Sequence, residues 1–207
     1  APAHHGGGGA AARLADHRGL STVAPPDARR TIPAMRVLLG ISGGIAAYKA
    51  PELVRLLRKR GHAVRCVLTD AGARLVAADA LAAVSGERVW TSLWSADGTI
   101  AHIDLARWAD GLLVAPLTAD AAARLALGFG DDLLCTVALA LEPDKPIWLA
   151  PAMNTVMWNK PVVQQHVQTL AQRGARIIPP VSGHLACGED GVGAMADPVA
   201  IAAAIGA

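Results

Sequence analysis

The chain has 207 residues, 53% of them hydrophobic and 17% charged, and a net charge of +2. That composition can bury a large core, so disorder throughout is excluded, and without a dense Lys/Arg run charge-driven nucleic-acid binding is excluded too. The longest clean apolar runs, such as Leu133 to Leu141, are about half the ~20 residues that a bilayer demands, so no membrane association is expected.

Residues 1–34 stand apart. His4-His5 with Gly6 to Gly9, then Pro25-Pro26 and Pro33, sustain no period, and read as a flexible tail or an appended extension. Met35 is the expected natural start, and residues 35–207 form one domain. No positively charged segment followed by an apolar one opens the chain, so the expected location is the cytoplasm. Val37 to Ile41 is a short apolar run without polar alternation, as in a strand covered on both faces. Ser42-Gly43-Gly44 follows as a tight turn. Residues 45–60 then read as helix, with Leu53, Val54 and Leu57 inward and Arg55, Arg58 and Lys59 outward. Pro51 divides it and starts the main segment, and Gly61 ends it. Further strands are expected at 63–68, 112–115, 147–150 and 176–178. Helices are expected at 73–84, 102–109, 119–141 (broken near Gly128 to Gly130) and 161–173. Strands separated by helices imply right-handed crossovers. The fold class is therefore α/β, a three-layer doubly wound parallel sheet of flavodoxin or Rossmann type.

Ligands in such sheets bind beyond the carboxyl ends of the strands. Four of those ends carry short polar or Pro-bounded segments: Ser42 to Gly44, Thr69 to Gly72, Pro116 to Asp120, and Pro151 to Trp158. Four together favour a bound cofactor over four coincidental turns. The glycines are those of neither a dinucleotide fingerprint nor a Walker loop, and Lys49 is misplaced for the latter. Thr118 or Asp120 suits a helix cap. The three cysteines are Cys66, Cys135 and Cys187, which make neither a disulfide framework nor a metal-ligand spacing; the first two lie in apolar runs as core residues. Trp90 and Trp94 read as ordinary packing, with an interface role as the alternative.

Four motifs occur in order: Gly40-Ile-Ser-Gly-Gly-Ile-Ala-Ala-Tyr-Lys49, His102-Ile103 before Trp108-Ala109-Asp110, Pro151-Ala-Met-Asn-Thr-Val-Met-Trp158, and Ser182-Gly-His-Leu-Ala-Cys-Gly188. From Met35 onward the chain resembles the homo-oligomeric flavin-containing cysteine decarboxylases, closest to the branch serving coenzyme A biosynthesis. The resemblance implies FMN as cofactor, held by Ser42, Gly43, Gly44, Ile45, Thr69, Ser85, Thr118, Ala119, Asp120, Ala121, Ala152 and Met153. It implies decarboxylation of the small molecule 4'-phosphopantothenoylcysteine to 4'-phosphopantetheine. The substrate thiol is oxidised to a thioaldehyde, carbon dioxide leaves, and the resulting enethiol is re-reduced. The implied catalytic residues are His102, which takes the thiol proton and steers the carboxylate, Asn154, which binds carboxylate or amide, and Cys187, which donates a proton during re-reduction. The segment from Pro179 to Gly193 is suited to a mobile flap over substrate. The resemblance also implies a homotrimer or homododecamer with FMN near subunit boundaries. It implies a phosphopantothenate–cysteine ligase, fused or separate, so that the chain is a free-standing form or one half of a longer protein. Alternatives on this scaffold are a peptidyl-cysteine oxidative decarboxylase, a non-catalytic flavin-binding regulatory subunit, and a nucleotide-binding protein without such chemistry. One departure is Ala194 after Gly191-Val192-Gly193, where the bacterial enzymes carry Arg or Lys. If that cation holds the substrate phosphate, another group must do so here, with Lys160 or a neighbouring subunit's residue as candidates.

Overall fold

In the computed structural model, residues 34–94, 100–186 and 188–206 are described; the tail expected at 1–34 falls almost wholly outside them. Six strands make one parallel sheet: β1 (Arg36–Ile41), β2 (Ala63–Leu68), β3 (Val89–Trp90), β4 (Gly111–Leu117), β5 (Ile147–Pro151) and β6 (Arg176–Ile177). Their spatial order is β3-β2-β1-β4-β5-β6. The order reverses between β1 and β4, as in the Rossmann arrangement, so a crevice opens there at the carboxyl ends of the strands.

Alternate residues of β1 enter opposite cores. Val37, Leu39 and Ile41 join Leu53, Val54 and Leu57 of α1 (Ala50–Lys59), along with residues of α3 (Ala78–Ser85) and α9 (Pro198–Ala204). Leu38 joins the other layer, built on α4 (Ala101–Trp108), α5 (Ala119–Leu127), α6 (Leu133–Ala140) and α8 (Pro161–Gln172). Both faces of the sheet are thus dry, and this explains why the strands read as continuous apolar runs rather than alternating ones. Gly40 takes no part in either core because its missing side chain is where Leu134 packs.

Several elements differ from expectation. The turn after β1 leads into a 3-10 segment, Ile45–Lys49, and α1 begins at Ala50 with Pro51 in its first turn, as Pro51 suggested. The helix expected over 73–84 is two: a single turn α2 (Asp70–Ala73), capped by Thr69, and α3. The 119–141 stretch breaks as expected, at Gly128, which adopts φ 75° and ends α5. Five further elements carry no counterpart in the sequence reading. They are β3, the short α7 (Thr155–Trp158), α9, and an antiparallel hairpin of β7 (Val181–His184) and β8 (Asp190–Ala194). No described helix is long and apolar enough to cross a membrane.

Candidate functional site

Beyond the carboxyl ends of β1, β2, β4 and β5 lies an open cleft of about 1230 Å³. It exceeds the roughly 300–1,000 Å³ of ordinary small-molecule sites, so it has room for a cofactor and a substrate together. Every residue expected at the site lines it except Ser85, His102 and Cys187, and Cys187 lies outside the described residues.

The cleft is braced where the sheet order reverses. The hydroxyl of Ser42, 2% exposed, donates to the Pro116 carbonyl at 2.7 Å, and the Thr118 amide donates back to that hydroxyl at 3.1 Å. These bonds tie the tip of β1 to that of β4, and satisfying such buried groups keeps the crevice rigid. Thr118 also caps α5 by accepting from the Ala121 amide at 3.2 Å. Asp120 does not cap; it pairs with Arg124 at 2.9 Å, and Arg124 also binds Asp131. Those carboxylates, Asp131 foremost, hold the Arg124 guanidinium above its usual value. Arg124 is therefore already committed within the cleft wall.

The Ser42-Gly43-Gly44 turn allows close approach. A Cβ on Gly43 would collide with Ala71, and one on Gly44 would stand 3.2 Å from the Thr118 methyl. The Gly44 amide, however, donates to the Ser42 carbonyl at 2.9 Å, so it is spent within the turn. Glycine and alanine recur along the walls, at Gly43, Gly44, Ala71, Ala119 and Ala152. Such walls let a flat ring lie directly against backbone, so the residues present fit a flavin.

Asn154 stands just beyond β5. Its Oδ1 accepts from the Val156 and Met157 amides at 2.7 and 3.3 Å, capping α7, while Nδ2 donates to Glu189 Oε2 at 3.1 Å. The hairpin expected as a mobile flap is tied down at its base, because the Met153 amide donates to the Gly193 carbonyl at 2.9 Å. His184, Leu185 and Ala186 bring its outer part to the cleft.

Two expected residues do not line the cleft. Ser85 is buried at the end of α3, where its hydroxyl donates to the Glu87 carbonyl and accepts from the Glu87 amide, each at 3.2 Å; it closes the turn at Gly86 rather than facing a ligand. His102 is the second residue of α4, with Nδ1 buried and without a hydrogen-bond partner among the described residues. Lys160, a candidate for the substrate phosphate, precedes α8 and does not line the cleft, whereas Lys49 and Ala194 do. The sequence reading set Lys49 aside because its spacing fits no phosphate-loop pattern. Cys135 also lines the cleft, but burial, then Asp132, push its thiol up to about 12, and burial does the same to Cys66; both stay protonated, in keeping with packing roles. Trp90 is half-buried and stacked against Arg65 and Arg88 at 5.4 and 4.8 Å, while Trp94 is 88% exposed at the cleft mouth.

A model of the family described as Flavoprotein matches residues 27–207. The chain belongs to that family. It is 47% identical over 171 residues to the coenzyme A biosynthesis bifunctional protein CoaBC of Haemophilus influenzae, covering 82% of this chain and 42% of that protein. The corresponding Escherichia coli protein is 44% identical over 173 residues, covering 83% and 42%. The chain thus spans less than half the length of these curated relatives. Among solved structures, a cysteine-to-serine mutant of PPC decarboxylase complexed with pantothenoylaminoethenethiol superposes with a TM-score of 0.77. The two are 36% identical, over 84% of this chain and 97% of that one. The FMN binding protein AtHal3 gives 0.74 at 36% identity, over 84% and 95%.

Proposed function

We propose that this flavoprotein is an FMN-dependent decarboxylase that converts 4'-phosphopantothenoylcysteine to 4'-phosphopantetheine in coenzyme A biosynthesis. The observation that carries the reading is the cleft at the β1/β4 reversal, walled by small residues and bordered by an asparagine whose amide is oriented by a helix cap. The likeness to PPC decarboxylase, nearly full length on that side, and to the CoaBC proteins supports it.

Gly43, Gly44, Thr118, Ala119, Ala121, Ala152 and Met153 would hold FMN, with Ser42 bracing the wall behind it. When bound, FMN supplies an acceptor for the two electrons of thiol oxidation and later returns them as hydride. This chain's own residues bind, orient and move protons. The Asn154 Nδ2 donates toward a substrate carboxylate or amide. His102 accepts the thiol proton, and Cys187 delivers a proton to the enethiol carbon so that the product leaves saturated. The β7–β8 hairpin excludes water over the bound substrate.

His102 belongs to this machinery although it does not line its own chain's cleft, which supports a site completed across a subunit boundary. Exposed apolar side chains rim the cleft, among them Ile45, Tyr48, Trp94 and Met157, as suits a surface covered by another copy. The assembly is a homotrimer or a set of trimers, working in the cytoplasm beside a fused or separate phosphopantothenate–cysteine ligase.

Mass spectrometry of the reaction tests the reading. The FMN-loaded protein is expected to turn over 4'-phosphopantothenoylcysteine with loss of carbon dioxide alone. Given instead a peptide ending in cysteine, loss of carbon dioxide together with two hydrogens would favour the peptidyl-cysteine type, and no turnover of either substrate would end both. Cys187→Ser is expected to stall at the enethiol, detected as product two hydrogens lighter; normal saturated product would remove Cys187 from its role.

A further inference from the structure

4'-Phosphopantothenoylcysteine carries its phosphate at the end opposite the reacting cysteine, and proteins meet such a dianion with cationic donors. Among the described residues that line the cleft, the basic side chains are Lys49, Arg124 and His184. Arg124 is spent on Asp120 and Asp131. Lys49 ends the 3-10 segment after β1, with its ammonium 5.9 Å from the centre of the Tyr48 ring. His184 is the one of these that the β7–β8 hairpin carries, so it alone approaches a bound substrate from that side.

The His184 ring is set by a neighbour. His184 and Asp190 are cross-strand partners, and Nδ1–H donates to Asp190 Oδ1 at 3.2 Å. Gly191, next along β8, abuts Thr155, so strand alternation turns Asp190 and its histidine away from that contact. Both side chains stay open, 72% and 84% exposed, and the pair leaves Nε2 as the ring nitrogen available to a ligand. Ala194, which lines the cleft without a polar group, lies on the same hairpin. A Cβ on Gly183, the residue before His184, would stand 3.6 Å from the Ala194 Cβ.

We infer that His184 is a specificity-determining residue for the phosphate end of the substrate, donating from Nε2 to a phosphate oxygen while Asp190 holds the ring at Nδ1. The imidazolium then lies between two anions and gives one N–H to each. An exposed pair of this kind contributes little to folding, so its loss should be read in substrate choice rather than in stability. The inference rests on the decarboxylase reading, which supplies the phosphate.

The test offers 4'-phosphopantothenoylcysteine and unphosphorylated pantothenoylcysteine to the full FMN-loaded chain and reads the ratio of their kcat/KM values. The parent is expected to favour the phosphorylated compound. His184→Leu should lower the ratio about ten- to a hundredfold, the loss expected of one hydrogen bond between charged groups. It should also weaken calorimetric binding of 4'-phosphopantothenate, which has the phosphate and no cysteine, by a similar factor. Asp190→Ala should lower the ratio by a smaller factor, because the ring remains but is no longer held, and His184→Arg should recover most of the parent's preference. The inference alone is overturned by a parent indifferent to the phosphate, by an unchanged ratio in His184→Leu, or by an equal loss on both substrates. A ratio that follows Lys49→Gln and not His184→Leu overturns it too. If the parent turns over neither compound, the decarboxylase reading falls and the inference falls with it.

Discussion

Single side chains in this protein do more bracing than their sequence context suggests. Ser42 shows it at the site, where its hydroxyl joins two strand tips while the residue also lines the cleft. His62 shows it far from the site. The ring is 3% exposed, and its Nδ1 accepts from the Met35 amide at 3.1 Å, which requires that nitrogen to be unprotonated. Burial, and secondarily Arg60, lower its pKa from the usual histidine value. The unfolded chain, with a value of about 6.5, therefore takes up the proton first as pH falls. His62 contributes stability that is full above about pH 6.5 and is lost as pH drops toward the depressed folded value. The melting temperature of the parent is expected to fall more steeply between pH 7 and 5 than that of His62→Gln, which keeps an acceptor but has nothing to titrate. Parallel curves for the two proteins would refute this.

At the scale of elements, the sheet was legible because its strands are apolar runs and its helices carry buried stripes such as Leu53, Val54 and Leu57. What escaped had little local pattern. β3 is two residues long and shows no period. α9 is the exception, since its start is local: Asp197 accepts from the Val199 amide ahead of Pro198. The hairpin strands are written in Val, Ser, Gly, His, Asp and Ala. Their order comes from ladder bonds and from docking on the loop after β5, which no window of sequence displays. Within the site, the turns at the strand ends were visible as spacing, whereas Glu189 was not, because its partner lies 35 positions away. Gly193 makes the docking testable. It adopts φ 153° and abuts the Met153 carbonyl, so Gly193→Ala should cost about 1–3 kcal/mol of local stability. Amide exchange in β7 and β8 is expected to quicken while α1 and α3 stay protected. Equal protection in both proteins would show that the hairpin does not depend on that contact.

At the scale of the whole molecule, one copy of the chain presents a cleft that contains Asn154 and lacks His102. The His102 side chain sits at the start of α4, beside the exposed Ile100, with a buried ring nitrogen that no described group satisfies. The exposed Ile100 beside it is apolar surface of the kind that a neighbouring copy would cover. If two copies build each site, one giving the cleft and the other His102, a chain lacking either residue is inactive alone yet can serve the other. His102→Ala and Asn154→Ala are each expected to lose nearly all turnover. Mixed one to one, dissociated and reassembled, they should regain activity at about a quarter of the sites, the share in which random pairing in a closed ring brings an intact cleft to an intact histidine. Size-exclusion chromatography before and after mixing separates exchange of subunits from its failure. Efficient exchange with no recovered turnover would mean that His102 and Asn154 act within the same chain, and the cleft would then have to be completed by movement of α4 rather than by a second copy.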